Sequence, residues 1–298
     1  MTTRLRILHR TRYAYGAPAA FSQHLLRLTP RERADQHVIS HDIVIAPAPE
    51  SLDRIEDAFG NRLVAATVSE PHETLEIVAH TVVERRPDPD LMAGASTPWE
   101  EVVAAAAAPG GLAAAPFAQP SAFTAADDAL EGWTRASFPP GRPALDGARE
   151  LCSRLHEEFA YLPGSTGAET TALQSFRIRE GVCQDFAHVM IAGLRALGLP
   201  AAYVSGYLRT RPPPGRPRLV GADASHAWVE VWDPRLGWTG LDPTNDVEPA
   251  DEHVVLAVGR DYADCAPVTG LVVGSGDQIL SVSVDVTGAD EPEPPDEG

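Results

Sequence analysis

Gly181-Val182-Cys183-Gln184-Asp185-Phe186-Ala187-His188 opens the clearest helical pattern in the chain. From Cys183 onward, Phe186, Val189, Met190, Gly193, Leu194 and Leu197 fall on one stripe, which predicts a core-facing helix. Gly198 and Pro200 end it. Cys183 therefore stands at a helix start. Free N–H groups and the positive end of the helix dipole there favour an anion. A free thiol ionises near about pH 8.5, so such a place favours the thiolate. Cys183 stands three positions before Phe186, which aims the sulfur toward the covered face and a crevice.

Two downstream words extend the pattern. Ser225-His226-Ala227-Trp228 starts one strand-like run, and Leu241-Asp242-Pro243-Thr244-Asn245 closes the next. Attack on an amide carbonyl needs a nucleophile, a proton shuttle and a group that orients the shuttle. Cys183, His226 and Asp242 are those parts. Each alone has a structural reading: a small buried hydrophobe, a satisfied strand histidine, a turn-forming aspartate. Their occurrence together on ordered elements favours the catalytic one. The Cys183 N–H is a candidate oxyanion donor. Tyr207, Trp228 and Asn245 are weaker candidates for substrate or oxyanion contacts, with packing or turn shaping as their alternatives. His188 reads as structural. A metal site from Cys183, His226 and Asp242 would lack the usual local ligand pairs, so neither a metal nor an organic cofactor is expected.

The chain has 298 residues, 44% of them hydrophobic, enough for one large domain or two ordinary ones. A net charge of −18 argues against nucleic acid or an anionic membrane as partner. Every Lys+Arg position is arginine, so the chain offers no lysine side chain as an amine acceptor. Cys152, Cys183 and Cys265 form no C-x-x-C pair and no disulfide frame. Met1-Thr2-Thr3-Arg4-Leu5-Arg6 carries no apolar leader core, and no apolar run nears about 18 residues. A soluble, cytoplasmic protein is the expectation.

Period-two alternation at 4–15, with Leu5, Ile7, His9, Thr11, Tyr13 and Tyr15 on one face, predicts a strand. Further strands are expected over 23–28, 38–45, 62–68 and 75–83, making residues 1–86 an antiparallel β domain. Residues 87–123, rich in Ala and Pro, read as a connector with one short helix. Residues 124–286 read as a catalytic core. Helices are expected over 125–137 and 144–159, and strands over 201–208, 227–232, 238–241, 253–258, 268–273 and 278–286. Residues 211–215 are a Pro-rich loop, and 287–298 an acidic tail expected to be disordered.

The words around these residues carry a resemblance. Gly181 to Ala187, Leu194-Arg195-Ala196-Leu197-Gly198-Leu199-Pro200-Ala201, Tyr203 to Leu208, Ser225 to Val231, and Gly237-Trp238 through Asn245 resemble the core of the transglutaminase-like superfamily, whose core is of the papain type. His9-Arg10-Thr11-Arg12-Tyr13-Ala14-Tyr15, Ser22 with His24, Leu26 to Arg31, and Asp57-Ala58-Phe59-Gly60-Asn61 resemble the N-terminal β domain of its bacterial branch. The resemblance implies an α+β protein, with that β domain followed by helices packed on an antiparallel sheet. It implies Cys183 as nucleophile, His226 as base and acid, and Asp242 as orienting carboxylate. The expected activity is thiol-dependent acyl transfer on a protein or peptide amide through a thioester. Hydrolysis, as in a cysteine protease or amidase, is favoured over transfer to an amine, as in a transglutaminase acyltransferase. A non-catalytic protein-binding module on the same fold is the other alternative. Substrate identity and oligomeric state are not legible in the sequence.

Overall fold

The computed structural model describes residues 2–86, 96–210 and 225–291. The start of the expected connector at 87–95, the loop at 211–215 and most of the tail, at 292–298, lie outside them. The described chain is α+β, built from three four-stranded antiparallel sheets, a short parallel pair of β7 (Ala160–Tyr161) and β8 (Glu180–Gly181), and six α-helices.

β1 (Thr3–Ala19), β2 (Phe21–Leu26), β3 (Gln36–Ala46), β5 (Arg62–Val68) and β6 (His72–Arg85) are the expected N-terminal strands. β4 (Ser51–Glu56) was not anticipated: all six of its residues are exposed, so it has no apolar alternation to read. Two sheets, ordered β14-β1-β6-β3 and β13-β2-β5-β4, enclose a core that includes Leu26, Leu28, Ile45, Val64, Leu75 and Ile77. Their outer strands come from the far end of the chain. β13 (Val268–Val273) pairs with β2, and β14 (Gln278–Gly288) pairs with β1. The sequence reading grouped these strands with the catalytic core because they follow it. Their hydrogen bonds join them to the N-terminal domain, where β14 covers the long edge of β1 that would otherwise stand open. Thr287 and Gly288, read as part of the tail, belong to β14.

The third sheet runs β11-β10-β9-β12, from β9 (Ala201–Leu208), β10 (Ser225–Asp233), β11 (Gly237–Leu241) and β12 (His253–Gly259). Helix α5 (Cys183–Ala196) packs on one face, against Ala201, Tyr203, Val229 and Val231. α1 (Trp99–Ala107), α2 (Asp128–Arg135), α3 (Ala144–Glu158) and α4 (Ala172–Ile178) precede it, and the one-turn α6 (Tyr262–Cys265) follows β12. The N-terminal domain covers part of the opposite side, where Leu5, Ile7 and Val83 meet Val254 and Leu256. Covered on both faces, β9 is buried in seven of its eight residues, and it reads as an apolar run rather than an alternation. α5 is buried from Asp185 to Arg195. No helix among the described residues is long and apolar enough to cross a membrane.

Two side-chain amides join the domains. The Gln36 Nε2 donates to the Val255 carbonyl and its Oε1 accepts from the Val255 N–H, both at 2.8 Å. Asn61 treats Val258 the same way, both at 2.8 Å. Each amide stands in for a neighbouring strand along the open edge of β12. The Asp57–Asn61 word builds that grip: Asp57 accepts from the backbone of Phe59 and Asn61 and from the Asn61 amide, all at 2.9 Å, and Gly60 turns with φ 76°. Asn61→Ala would orphan a buried N–H and carbonyl, at about 1–3 kcal/mol for each group left unsatisfied. We expect a lower urea midpoint with the slope of the transition unchanged; a loss under about 0.5 kcal/mol would mean that water replaces the amide.

Candidate functional site

Cys183 is the first residue of α5, and three neighbours fix it there. Val182 precedes the helix in extended conformation. Asp185 reaches back so that its Oδ2 accepts from the Val182 N–H at 2.9 Å and from the Thr166 hydroxyl at 2.6 Å. A Cβ on Gly181 would lie 2.5 Å from the Asp185 Cβ and 2.7 Å from its Oδ2, so only glycine leaves room for the returning carboxylate. Burial raises the Asp185 pKa. The first N–H groups of an α-helix have no intrahelical partner, and that of Cys183 is one of them.

His226 lies on β10 opposite Gly206 of β9. A Cβ on Gly206 would fall 2.1 Å from the Val254 carbonyl and 2.5 Å from the Trp228 ring, so the close fit beneath His226 depends on this glycine. Asp242 follows β11 with no exposed surface. Its Oδ1 accepts from the N–H of Thr244 at 3.0 Å and of Asn245 at 3.3 Å, the Asx turn that Asp-Pro-Thr-Asn favours. That leaves Oδ2 for His226 Nε2 at 2.7 Å and for the Asn245 Nδ2 at 2.7 Å. The other ring nitrogen of His226, Nδ1, is then the one left for Cys183, which lines the same cavity. Burial alone would lower the His226 pKa, but the bonds to Asp242 and Cys183 outweigh it and raise it to about 10. Burial alone would raise the Asp242 pKa, but His226, His253 and Asn245 hold it well below the usual carboxylate range.

His253 was not singled out in the sequence. It opens β12, at the opposite edge of the sheet from β11, and its Nε2 lies 3.3 Å from Asp242 Oδ2. Its Nδ1 accepts from the Ala250 N–H at 3.4 Å, which leaves Nε2 as the donor to Asp242. The chain crosses the end of the sheet between residues 242 and 253, and no local pattern announces that return. His226, Asp242 and His253 are also the described residues grouped most like metal ligands. The 2.7 Å contact between His226 and Asp242 is a hydrogen-bond length. Two ligands on one tetrahedral ion with bonds of about 2.0–2.1 Å would stand about 3.3 Å apart, a separation that the His253 contact matches and the His226 contact does not.

Cys183 and His226 line a cavity of about 360 Å³ between the two domains. The weaker candidates lie elsewhere. Tyr207 shares a strand face with Tyr203 and Ser205, which do line the cavity. β1 covers it, however, and its hydroxyl is bonded to His9 Nδ1 at 2.9 Å with the ring 1% exposed; Tyr207 is not a cleft residue. Trp228 is buried under the site, edge-on to His253 at 5.3 Å, which is a packing role. Asn245 holds Asp242 rather than lining the cavity. Tyr161 and Tyr203, not picked from sequence, do line it; burial, then the charge of Cys183, raises the pKa of both hydroxyls. His188 is structural: it stacks on Phe123 and its Nε2 accepts from the Tyr262 N–H at 3.1 Å. Burial lowers its pKa to about 4.

Residues 134–243 match the model of the transglutaminase-like superfamily, and residues 5–84 match that of the bacterial transglutaminase-like N-terminal region. A protein of Mycobacterium tuberculosis (strain ATCC 25618 / H37Rv), named only as uncharacterized, is 41% identical over 299 residues, spanning 96% of this chain and 93% of its own length. The chain belongs to the transglutaminase-like superfamily. A superfamily relative from Pseudomonas aeruginosa named a protein-glutamine gamma-glutamyltransferase is 43% identical over 125 residues, 39% of this chain but 18% of that protein. The fold recurs in the crystal structure of a "Putative Cysteine Protease" from Cytophaga hutchinsonii. That structure has a TM-score of 0.72 and 21% identity, and it covers 99% of this chain and 93% of its own. The transglutaminase-like core and its N-terminal β domain are therefore both present, as the sequence words implied.

Proposed function

We propose that this transglutaminase-like protein is a thiol-dependent acyl-transfer enzyme acting on protein or peptide amides, with Cys183, His226 and Asp242 as its triad and hydrolysis as the usual outcome. The observation that carries the reading is that His226 lines one cavity with Cys183 while its Nε2 is held by a buried Asp242, which leaves Nδ1 for the sulfur. The Cys183 sulfur attacks the carbonyl carbon, and the negative charge moves to the carbonyl oxygen, where the Cys183 N–H donates. The carbon–nitrogen bond then breaks, and the His226 imidazolium gives its proton to the leaving amine. A thioester on Cys183 remains. Neutral His226 takes a proton from water, the hydroxide attacks the thioester, and the acid leaves with the sulfur again paired to the imidazolium. Asp242 stays ionised and holds the ring.

A second reading differs only in the last step: an amine replaces water. The relative named as a glutamyltransferase favours it. The chain has no lysine, so a lysine side chain serving as that amine must come from another molecule.

Iodoacetamide with peptide mapping tests the nucleophile. Cys152 and Cys265 are 2% and 0% exposed, and burial pushes both thiols up. Cys183 opens on the cavity beside a charged imidazole. At pH 6, where about 0.3% of an ordinary thiol is ionised, we expect Cys183 to be modified at least 100-fold faster than either of the others. Equal rates at the three sites would end the reading.

A further inference from the structure

The wall of the cavity that faces Cys183 belongs to the other domain. Side chains alternate along a strand, so His9, Thr11 and Tyr13 share one face of β1. β14 runs antiparallel beside it, with Val284 opposite His9, Val282 opposite Thr11 and Leu280 opposite Tyr13. Directly opposed residues share a face, so these are three rungs of one ladder. The rungs step from core to solvent. His9 and Val284 are 1% exposed, whereas Val282 and Leu280 are 50% and 53% exposed. Thr11, Tyr13, Leu280 and Val282 line the same cavity as Cys183 and His226. Leucine and valine half open to water beside a nucleophile make an apolar surface that no described residue covers fully.

The rest of the lining agrees in character. Tyr161, Tyr203 and Tyr262 come from the core, with Pro267 and Val268 at the join between domains. Among the described residues, no carboxylate and no arginine lines the cavity. His9 is bonded to Tyr207 and Thr11 through its two nitrogens, and burial lowers its pKa to about 4. Among the described lining residues, His226, beside the sulfur, is then the cation of the cavity. A volume of about 360 Å³ lies at the small end of ligand pockets, which run about 300–1,000 Å³. It admits a side chain or two of an extended segment, not a folded surface.

We propose that the β1–β14 ladder of the N-terminal domain is the specificity wall of the cleft, selecting a peptide segment that presents a large uncharged side chain, aromatic or branched aliphatic, beside the amide that Cys183 attacks. The inference rests on Cys183 as the nucleophile. It gives the N-terminal domain a part in substrate choice, and it accounts for the exposed Leu280 and Val282. A basic side chain would lose its water there and find no carboxylate among the described lining residues, and an acidic one would find only the His226 ring, already paired with Asp242, whereas a leucine or phenylalanine would bury the ladder along with itself.

The test uses the full chain and a set of short peptidyl chloromethyl ketones that differ only in the side chain bearing the electrophile or in the one before it. Alkylation of Cys183 is followed by intact mass, and each rate is divided by the iodoacetamide rate of the same protein. Phenylalanine and leucine reagents should exceed aspartate, lysine and glycine reagents by about 10–200-fold, the range for a hydrophobic pocket. Leu280→Asp should bring that ratio to within about threefold and raise the lysine reagent relative to the parent. Ile279→Asp, one residue away on the other face and 74% exposed, should leave the parental ratio in place. If iodoacetamide does not select Cys183, the nucleophile reading itself fails. If iodoacetamide selects Cys183 but the reagents react alike, or Leu280→Asp keeps the parental ratio, the wall proposal alone is overturned.

Discussion

Cys183→Ala should abolish acyl transfer while leaving the fold in place. The thioester needs the sulfur; the described cavity hydroxyl that does sit on a histidine, Thr11 on His9, has that ring held by the Tyr207 hydroxyl rather than by a carboxylate. Loss of a triad nucleophile costs on the order of 10⁴–10⁶ in rate, with a residue left over from binding and the oxyanion donors. Cys183 is only partly buried, so alanine leaves no sealed cavity, and the thermal midpoint should shift by less than about 2 °C. The acyl donor can be found in the same experiment. Parent and variant are each incubated with a bacterial cell extract, quenched in acid and weighed by mass spectrometry. The parent should carry an added acyl mass on the peptide containing Cys183; the variant should carry none. An equal adduct on both proteins, or hydrolysis of any peptide amide by the variant within tenfold of the parent, would rule out Cys183 as the nucleophile.

The catalytic words were legible because each is a local device. Gly181, Cys183 and Asp185 stand together since one turn needs a residue without a Cβ, a helix start and a returning carboxylate. Asp-Pro-Thr-Asn is an Asx turn in any context, and its spare oxygen is what meets His226. What escaped was set by long-range pairing. His253 reaches Asp242 only because the chain crosses the end of the sheet. Gln36 and Asn61 grip β12 from about 200 residues away, at separations of 219 and 197. β13 and β14 look like core strands until β1 and β2 claim them, since alternation shows that a strand exists and not which edge it joins. Tyr207 shows the same limit. Its strand was right, but β1 lies over it, and a period of two cannot reveal a cover supplied by another domain.

Asp242→Asn should cost nearly as much activity as removing the sulfur, for a different reason. In the parent, Oδ2 accepts from His226, Asn245 and, at longer range, His253. Asparagine keeps one carbonyl oxygen for the Asx turn. It then presents an NH₂ to three groups that are themselves donors. His226 can answer only by moving its proton to Nδ1, the nitrogen that faces the sulfur, which is the wrong tautomer for taking a proton there; such an inversion is worth about 10³–10⁴ in rate. Stability should fall too. Asp242 is fully buried, and breaking a buried pair by changing one partner costs about 3–5 kcal/mol. That loss should depend on pH in both directions. Asp242 has a lowered pKa, so its contribution is present above about pH 3.9, the ordinary aspartate value, and fades as pH falls below it. His226 is raised to about 10, so its contribution is whole below about pH 6.5 and is lost as pH climbs through about 10. The stability gap between parent and variant should therefore peak near pH 5–6, narrow below pH 4, and narrow again toward pH 10, as one coupled pair. Urea midpoints at pH 3.5, 5.5, 7.5 and 9.5 would show it. A gap of constant size across that range would mean that Asp242 shapes the turn and does not hold a charged His226. The rate of iodoacetamide on Cys183 decides the same point at the site itself, since a ring that carries its proton toward the sulfur as a neutral tautomer should slow alkylation at pH 6 at least tenfold.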